Sequence, residues 1–361
     1  MATTTSSLIP STTTASNSPS CTTAVPDKYG HVPFEACNSY YNFDPNFEAA
    51  VAVAVLFGLL TAIHIAEAII YKKRYAWVLI MGATWETISF TLHALGAHRQ
   101  QSTALAMGHT LLYLLAPLWV NAFAYMTLAR AAHLLSPRRR AGPFKSTVLS
   151  KVFVWADVAT FLVQGAGGSV ASGPDVESNT LKWGLRVYMI GMGLQEGAIL
   201  CFVGLMVAFQ REMRAVDVVA VAGRTAMGWK GMLYALYAVL AAITVRIIYR
   251  IAEFAGGVTP SNPIPFHEAY SYALDAFPML AALVILAVWH PGRVLQGPNS
   301  DFTLVRAERK AAKKAAKAEK RAAKEAAKED KRERKEERRR VRDAKRNGGY
   351  EDIELGTQFS D

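Results

Sequence analysis

Apolar residues in this chain gather into seven long runs instead of alternating with polar ones at a short period. Each run comes near or above the ~20 residues that a helix needs to cross the hydrocarbon of a bilayer. They lie at about 48–71, 75–97, 105–134, 147–171, 183–210, 229–255 and 267–290, with short polar loops between them. Seven such runs in series do not fit a soluble helical protein. The pattern predicts an all-α integral membrane protein, a seven-transmembrane-helix bundle, because a helix satisfies its own backbone groups where there is no water. Pro117 and Pro278 interrupt backbone bonding in the third and seventh spans and are expected to kink them. Gly193 and Gly197, four residues apart in the fifth span, form a small-residue pair expected to let helices approach closely. Gly165, Gly167 and Gly168 offer the same in the fourth.

Loop charge sets the expected orientation. Lys72, Lys73 and Arg74, the group from Arg138 to Lys151, and the group from Arg211 to Lys230 place twelve basic residues on one side, against four on the other. Basic loops stay in the cytoplasm, so the N-terminus is expected outside and the C-terminus inside. The chain divides accordingly into an extracytoplasmic tail rich in Ser and Thr (1–45), the bundle (46–292) and a basic cytoplasmic tail (293–361). The first twenty residues lack the basic and apolar regions of a cleavable signal and suit a disordered, O-glycosylated tail. An outside location would permit a disulfide between Cys21 and Cys37, with two free thiols as the alternative.

The formal net charge of +11 resembles a nucleic-acid signal until it is located. The chain's 40 basic and 29 acidic residues include 20 and 9 between Arg306 and Arg346, so 20 of each sign remain elsewhere. The body of the protein is therefore not a polyanion binder, and nucleic acid is not an expected partner. The tail lacks the apolar seam of a coiled coil. It reads as a solitary charged helix drawn to anionic lipid, with a solubilising or trafficking tail as the alternative. From Tyr350 to Asp361 the composition is acidic and is expected to be disordered.

Charges inside the spans carry the chemistry. A charged side chain at the bilayer centre costs about 2.5–3.5 kcal/mol on insertion scales. Inward of their first and last two residues the predicted spans nevertheless hold six acids, Glu67, Glu86, Asp157, Glu196, Glu253 and Asp275, and two deep arginines, Arg246 and Arg250. Arg246, Arg250 and Glu253 stand at i, i+4 and i+7, one stripe of the sixth span. His64 and Glu67, three apart, share a face of the first. Interhelical ion pairs of Arg246 or Arg250 with Asp275 and Asp157 would neutralise part of the set. Two arginines do not balance six acids, so the surplus points to protonated carboxyls or to a cavity that receives a cationic group. There is no G-x-x-x-x-G-K-[ST] loop for ATP, no deep lysine for a retinal Schiff base and no H-E-x-x-H zinc motif. No cofactor or metal is expected. A hydrolase assembled from separated residues such as His64, His93, Asp157 and His290 stays as an alternative.

From Tyr29 to Gly292 the chain resembles the fungal RTA-like family, also called the lipid-translocating exporter or aminocholesterol-resistance family. The likeness rests on ordered motifs. Span three has Leu114–Pro117, Tyr125-Met126 and Arg130; span four has Asp157, Gln164, Gly167 and Gly168; span five has Gly193-Leu194-Gln195. Span six has Arg246, Arg250 and Glu253 as R-x-x-x-R-x-x-E; span seven has His267-Glu268, Asp275, Pro278-Met279-Leu280 and His290-Pro291-Gly292. Span two departs, with Glu86, Ser89, Phe90 and His93 where the family tends to show E-x-x-G-Y-x-x-R. The resemblance implies a seven-span membrane protein, most plainly of the plasma membrane. Such proteins move amphiphiles such as sphingoid bases or sterol-like toxicants, or confer tolerance to them, without enzymatic chemistry. Its implied ligand-binding residues are Glu86, Asp157, Gln164, Arg246, Arg250, Glu253 and Asp275. Asp157, Glu86 and Asp275 would receive a head group. A heptahelical sensor that acts on lipid asymmetry indirectly is the alternative.

Overall fold

The computed structural model describes residues 23–28, 30–33, 36, 39–171, 178–217, 226–257, 262–295 and 302–357. Among them are seven helices long and apolar enough to cross a membrane. Helix α1 (Phe47–Tyr71) is capped by Asn46, whose side chain accepts the Ala49 N–H at 3.0 Å. A 3₁₀ turn (Arg74–Ala76) leads into α2 (Trp77–Ala97). Helix α3 (Thr103–Leu135) runs through Pro117. A minimal antiparallel hairpin, β1 (Arg140–Ala141) with β2 (Phe144–Lys145), turns at Gly142 and enters α4 (Ser146–Ala171). Helices α5 (Ser178–Asp217) and α6 (Ala226–Ala255) follow. The seventh span, α7, is compound: a helical turn (Glu268–Ser271), a π turn (Tyr272–Ala276) and a regular helix (Phe277–Val288).

The core inverts the usual arrangement. Leu59, Ile69, Leu162, Ile190, Leu200 and Ile248 are exposed, whereas Glu86, His93, Asn121, Asp157, Arg246 and Asp275 are buried. Lipid is as apolar as leucine, so these helices have no polar outer face to turn toward a solvent. Polar groups collect inside because only neighbouring helices satisfy them. Aromatic side chains fill the space between, among them Phe57, Phe90, Phe123, Tyr125, Phe153 and Phe202.

Helices α4 and α5 approach most closely through glycines, though not the pair expected. A Cβ at Gly193, Gly197 or Gly165 would meet nothing within 4 Å. A Cβ at Gly167 would strike the Tyr188 backbone N at 2.4 Å, and one at Gly184 the Ala171 N at 2.8 Å. A Cβ at Gly191 would lie 2.7 Å from Gln164 Cγ and 3.0 Å from its backbone N. Gly184 and Gly191 are seven residues apart, two turns, and thus lie on the face that meets α4. Four-residue spacing alone does not reveal which face of an apolar helix meets a neighbour.

The segment before α1 packs on one end of the bundle. Val32, Ala36 and Tyr41 are buried there. The Val32 N–H donates to Gln100 Oε1 at 3.0 Å, and the Asn46 N–H donates to Glu268 Oε2 at 2.8 Å. Thus part of the stretch assigned to a tail ending at residue 45 belongs to the folded body. Residues 1–22 and 37 lie outside the described set, and with them the suggested Cys21–Cys37 bridge.

Residues from Phe302 onward form a separate unit. It is a single helix, α8 (Thr303–Thr357), about 80 Å long at 1.5 Å per residue. The helix continues past Tyr350, where composition places its end. Its basic residues recur every three or four positions, at Lys310, Lys313, Lys317, Arg321, Lys324 and Lys328 and onward to Lys345. At 3.6 residues per turn these form one unbroken stripe. Glu319, Glu329, Glu333 and Glu337 fall on the opposite face, where Asp330 pairs with Arg334 at 3.1 Å.

The glycine contacts make a prediction about stability. Gly191→Val inserts bulk against backbone that does not yield, and is expected to cost more than the ~1–3 kcal/mol of ordinary overpacking. Gly193→Val should be close to neutral. Thermal unfolding of the two purified variants in detergent measures the difference.

Candidate functional site

Arg246 and Arg250 stand one turn apart on α6 and share a single acidic partner. Arg246 NH1 forms an ion pair with Asp275 Oδ1, and Arg250 Nε lies 2.5 Å from Asp275 Oδ2. Arg250 NH1 also donates to Glu253 Oε2 at 2.9 Å, within the same helix. Both guanidinium groups lie over the ring of Tyr113 on α3, at 4.4 and 5.1 Å from its centroid. Stacking on an aromatic face suits guanidinium, which is less strongly hydrated than ammonium.

Two prolines explain why the cluster forms here. Pro117 has no N–H to give to the carbonyl four residues earlier, which is that of Tyr113. Arg246 NH2 supplies the missing donor, reaching Tyr113 O at 2.7 Å. Pro278 likewise leaves the Leu274 carbonyl without its helical donor, and α7 responds by widening. The Phe277 N–H bonds back five residues to Tyr272 O, and Asp275 sits within that π turn. Such turns are frequent at functional sites because they re-aim one side chain without ending the helix. The prolines were expected as kinks; what the structure shows is that Pro117 leaves free the carbonyl that Arg246 binds and that Pro278 follows the π turn holding Asp275.

Glu86 of α2 completes the cluster and differs from the rest of it. It is fully buried, and among the described residues neither carboxylate oxygen has a hydrogen-bond partner. Its cationic neighbour, Arg246 NH1, lies 4.0 Å away and is already paired with Asp275. The group therefore holds two arginines and three acids, Glu86, Glu253 and Asp275.

A cavity of about 200 Å³ opens beside the cluster at the end where the N-terminal segment packs. Tyr41, His93, Tyr113, Arg250, Glu253 and His267 line part of it. Drug-sized ligands occupy pockets of roughly 300–1,000 Å³, so this space suits a head group whose tail lies elsewhere. A larger cavity, about 380 Å³, lies at the other end against Met232, Trp289, His290 and Arg293. The smaller one is the better candidate because Tyr113, Arg250 and Glu253 of the cluster line it.

The unusual residues of α2 form a consistent set at the cavity. His93 Nε2 lies 2.9 Å from Glu268 Oε1, which also accepts the Tyr272 hydroxyl at 3.0 Å. The His93 ring stacks on His109 with centroids 4.4 Å apart. The Ser89 hydroxyl donates to His109 O at 2.9 Å, and Phe90 packs edge-on against Tyr113. Tyr41, ahead of the first span, has its hydroxyl pKa pushed up to about 12 by burial and then by the Glu268 carboxylate. It stays neutral at the cavity wall across physiological pH.

Of the expected site residues, Glu86, Arg246, Arg250, Glu253 and Asp275 come together, and Asp157 and Gln164 do not join them. The expected pairing of Asp157 with an arginine is replaced by two neutral donors from α3. Asn121 Nδ2 reaches Asp157 Oδ2 at 3.1 Å, and the Tyr125 hydroxyl reaches Oδ1 at 3.3 Å. Gln164 donates to Gln195 Oε1 at 2.7 Å across the α4–α5 seam. Glu196 accepts from Thr244 at 2.9 Å, and Glu67 lies 3.3 Å from His64 Nδ1. Helical periodicity conveys depth and face but not which helix sits opposite, so of these pairings only that of His64 with Glu67, on one face of α1, was visible in the sequence. Among the described residues no three His, Cys, Asp or Glu side chains gather as metal ligands. His93 and His290, suggested for a zinc site, lie at opposite ends of the bundle, His290 stacking on Tyr71 at the end of α1. Tyr113, His109, Asn121 and Glu268 were missed as site residues. For Tyr113 a signal existed, since it lies four residues before a proline.

Comparison with known proteins supplies the context for this geometry. The family model described as RTA1 like protein matches residues 79–298. A protein named as a probable lipid transporter, from Emericella nidulans, is 42% identical over 291 residues, covering 79% of this chain and 76% of the relative. A lipid-translocating exporter-like protein of Leptosphaeria maculans is 26% identical over 72% of this chain and 52% of the relative. A sphingoid long-chain base transporter of Saccharomyces cerevisiae is 22% identical over 74% and 77%. No solved structure matches the chain.

The two acid environments predict different costs for one substitution. Asp275→Asn leaves the buried Arg246 without a close acid and Arg250 with Glu253 alone, and is expected to cost about 3–5 kcal/mol. Asp157→Asn meets neutral partners only and should cost about 1 kcal/mol. Thermal unfolding of the purified variants in detergent checks the order.

Proposed function

This chain belongs to the RTA1-like family of membrane proteins, and on that premise we propose that it exports a cationic, single-chain amphiphile of the sphingoid-base type or moves it across the bilayer. One observation carries the reading: a fully buried acid, Glu86, lacks a hydrogen-bond partner and lies 4.0 Å from Arg246, whose partner Asp275 also pairs with Arg250 at the wall of a cavity sized for a head group. An ammonium entering from the cavity meets Glu253 first, at the wall, and Asp275 and Glu86 deeper in. Arg246 and Arg250 hold those acids in position and repel a second cation. A diol head group finds donors and acceptors in His93, His109 and Tyr41, while the acyl tail leaves between helices whose outer faces are already apolar. Asp157 and Gln164 join helices together and do not contact the ligand. The chain performs no chemical step on the lipid. The relatives named as lipid and sphingoid-base transporters support this class of ligand.

In this reading the cavity faces the outside and the basic loops face the cytoplasm, with the plasma membrane as the site of action. The basic stripe of α8 then lies beside the anionic leaflet, where each Lys or Arg near the surface contributes about 1 kcal/mol of attraction.

Two measurements test the proposal. Purified protein in liposomes should accelerate the transbilayer movement of a labelled long-chain base, and Glu253→Gln should lower that rate about tenfold with the fold intact. A rate equal to that of empty liposomes sinks the proposal, and is what an indirect sensor would give. Reversing Lys317, Lys324, Lys331 and Arg338 to Glu should abolish the preference of the detergent-purified protein for vesicles containing phosphatidylserine over neutral ones, as read by co-flotation.

A further inference from the structure

We infer that Glu86 is a proton-exchange site: it carries a proton when the cavity is empty and gives it up when a cationic head group arrives. The inference rests on the amphiphile reading and adds the source of its driving force. Charge balance in the cluster carries it. The charged and titratable groups facing Glu86 are Arg246 and Arg250 from α6, Asp275 from α7 and Tyr113 from α3, with Glu253 beyond Arg250. Asp275 bonds to both arginines, and Glu253 bonds to Arg250, so two cations and two anions already cancel. An ionised Glu86 would leave one uncompensated negative charge with no hydrogen bond to hold it. In a low-dielectric interior such a charge is removed by protonation or matched by a cation. The empty site is thus neutral with Glu86 protonated, and the occupied site is neutral with Glu86 ionised against an ammonium.

The step is an exchange in which no covalent bond to carbon changes. The Glu86 O–H bond breaks, its proton leaves through the cavity past Glu253, and the carboxylate pairs with the ammonium of the amphiphile. One cation leaves the membrane site for each proton that enters it. Transport by this route moves no net charge, so a pH gradient drives it and a membrane potential does not.

Dodecylamine is a suitable probe because its ammonium stays protonated between pH 5.5 and about 8. Binding to the full-length protein is measured by titration calorimetry in two buffers of different ionisation enthalpy, which counts released protons. The wild type is expected to release about one proton per dodecylamine bound. Glu86→Gln, which mimics the protonated acid, should bind about tenfold more weakly and release none, with unchanged thermal unfolding. Glu86→Asp keeps the carboxyl and should restore release. His93, His109 and His267 also face the cavity, so the comparison with Glu86→Gln, not the pH dependence of the wild type, decides the matter. Binding without proton release, or equal release from Glu86→Gln, overturns the exchange and leaves the amphiphile reading standing. Failure of the wild type to bind dodecylamine overturns the amphiphile reading, and the exchange with it.

Discussion

A charge inside hydrocarbon has to be met by another part of the same protein, and Asp275 is where this bundle meets that requirement. One carboxylate serves two guanidinium groups from the adjacent helix, so α6 and α7 are fixed in register over a full turn. Arg246 extends the connection to α3 through the Tyr113 carbonyl, and the Tyr113 ring underlies both arginines. Between helices that are apolar all round, dispersion and glycine contacts permit many rotations of one helix against another. The ion cluster selects one. The glycine contacts of α4 with α5 and the neutral Asp157 network of α3 with α4 complete a bundle whose charged centre is already set.

Backbone irregularity and side-chain charge cooperate in this centre. Each proline removes an N–H from a helix where water cannot replace it. At Tyr113 an arginine replaces it, and ahead of Pro278 the helix widens into the π turn that holds Asp275. The places where the helices are weakest are therefore the places where polar side chains converge. The same logic explains why the cavity lies beside them, next to Glu253 and Arg250. The bond of His93 to Glu268 keeps the cavity wall polar.

The proposed roles follow from an inventory of partners. Glu67, Asp157, Glu196, Glu253 and Asp275 each have a neighbouring donor or cation at bonding distance. Glu86 alone of the six membrane acids has neither a hydrogen bond nor an ion pair closer than 4.0 Å among the described residues. A buried carboxyl in that state is costly to keep as a packing element, since a leucine would fill the space without the penalty. Its presence in a cluster whose Arg250 and Glu253 line a cavity makes chemical sense for binding a cation or a proton.

The seven spans, the confinement of excess charge to the tail, and the surplus of acids over arginines were all legible in the sequence. Run length measures bilayer thickness directly, and counting charges needs no coordinates. The pairing of Arg246 and Arg250 with Asp275 was legible in outline because their spacings fix face and depth. Other relations were not. Gly193 and Gly197 have the spacing of a packing motif but face open space, while Gly184 and Gly191 make the contact with α4, where Gly167 packs as expected. Asp157 lies at a depth fit for ion pairing but meets Asn121 and Tyr125 instead. The sequence by itself determined that this protein crosses a membrane seven times with more buried acid than buried base. Only the tertiary structure decided which acid is left over, because helices apolar on every side carry no marker of which neighbour each face will meet.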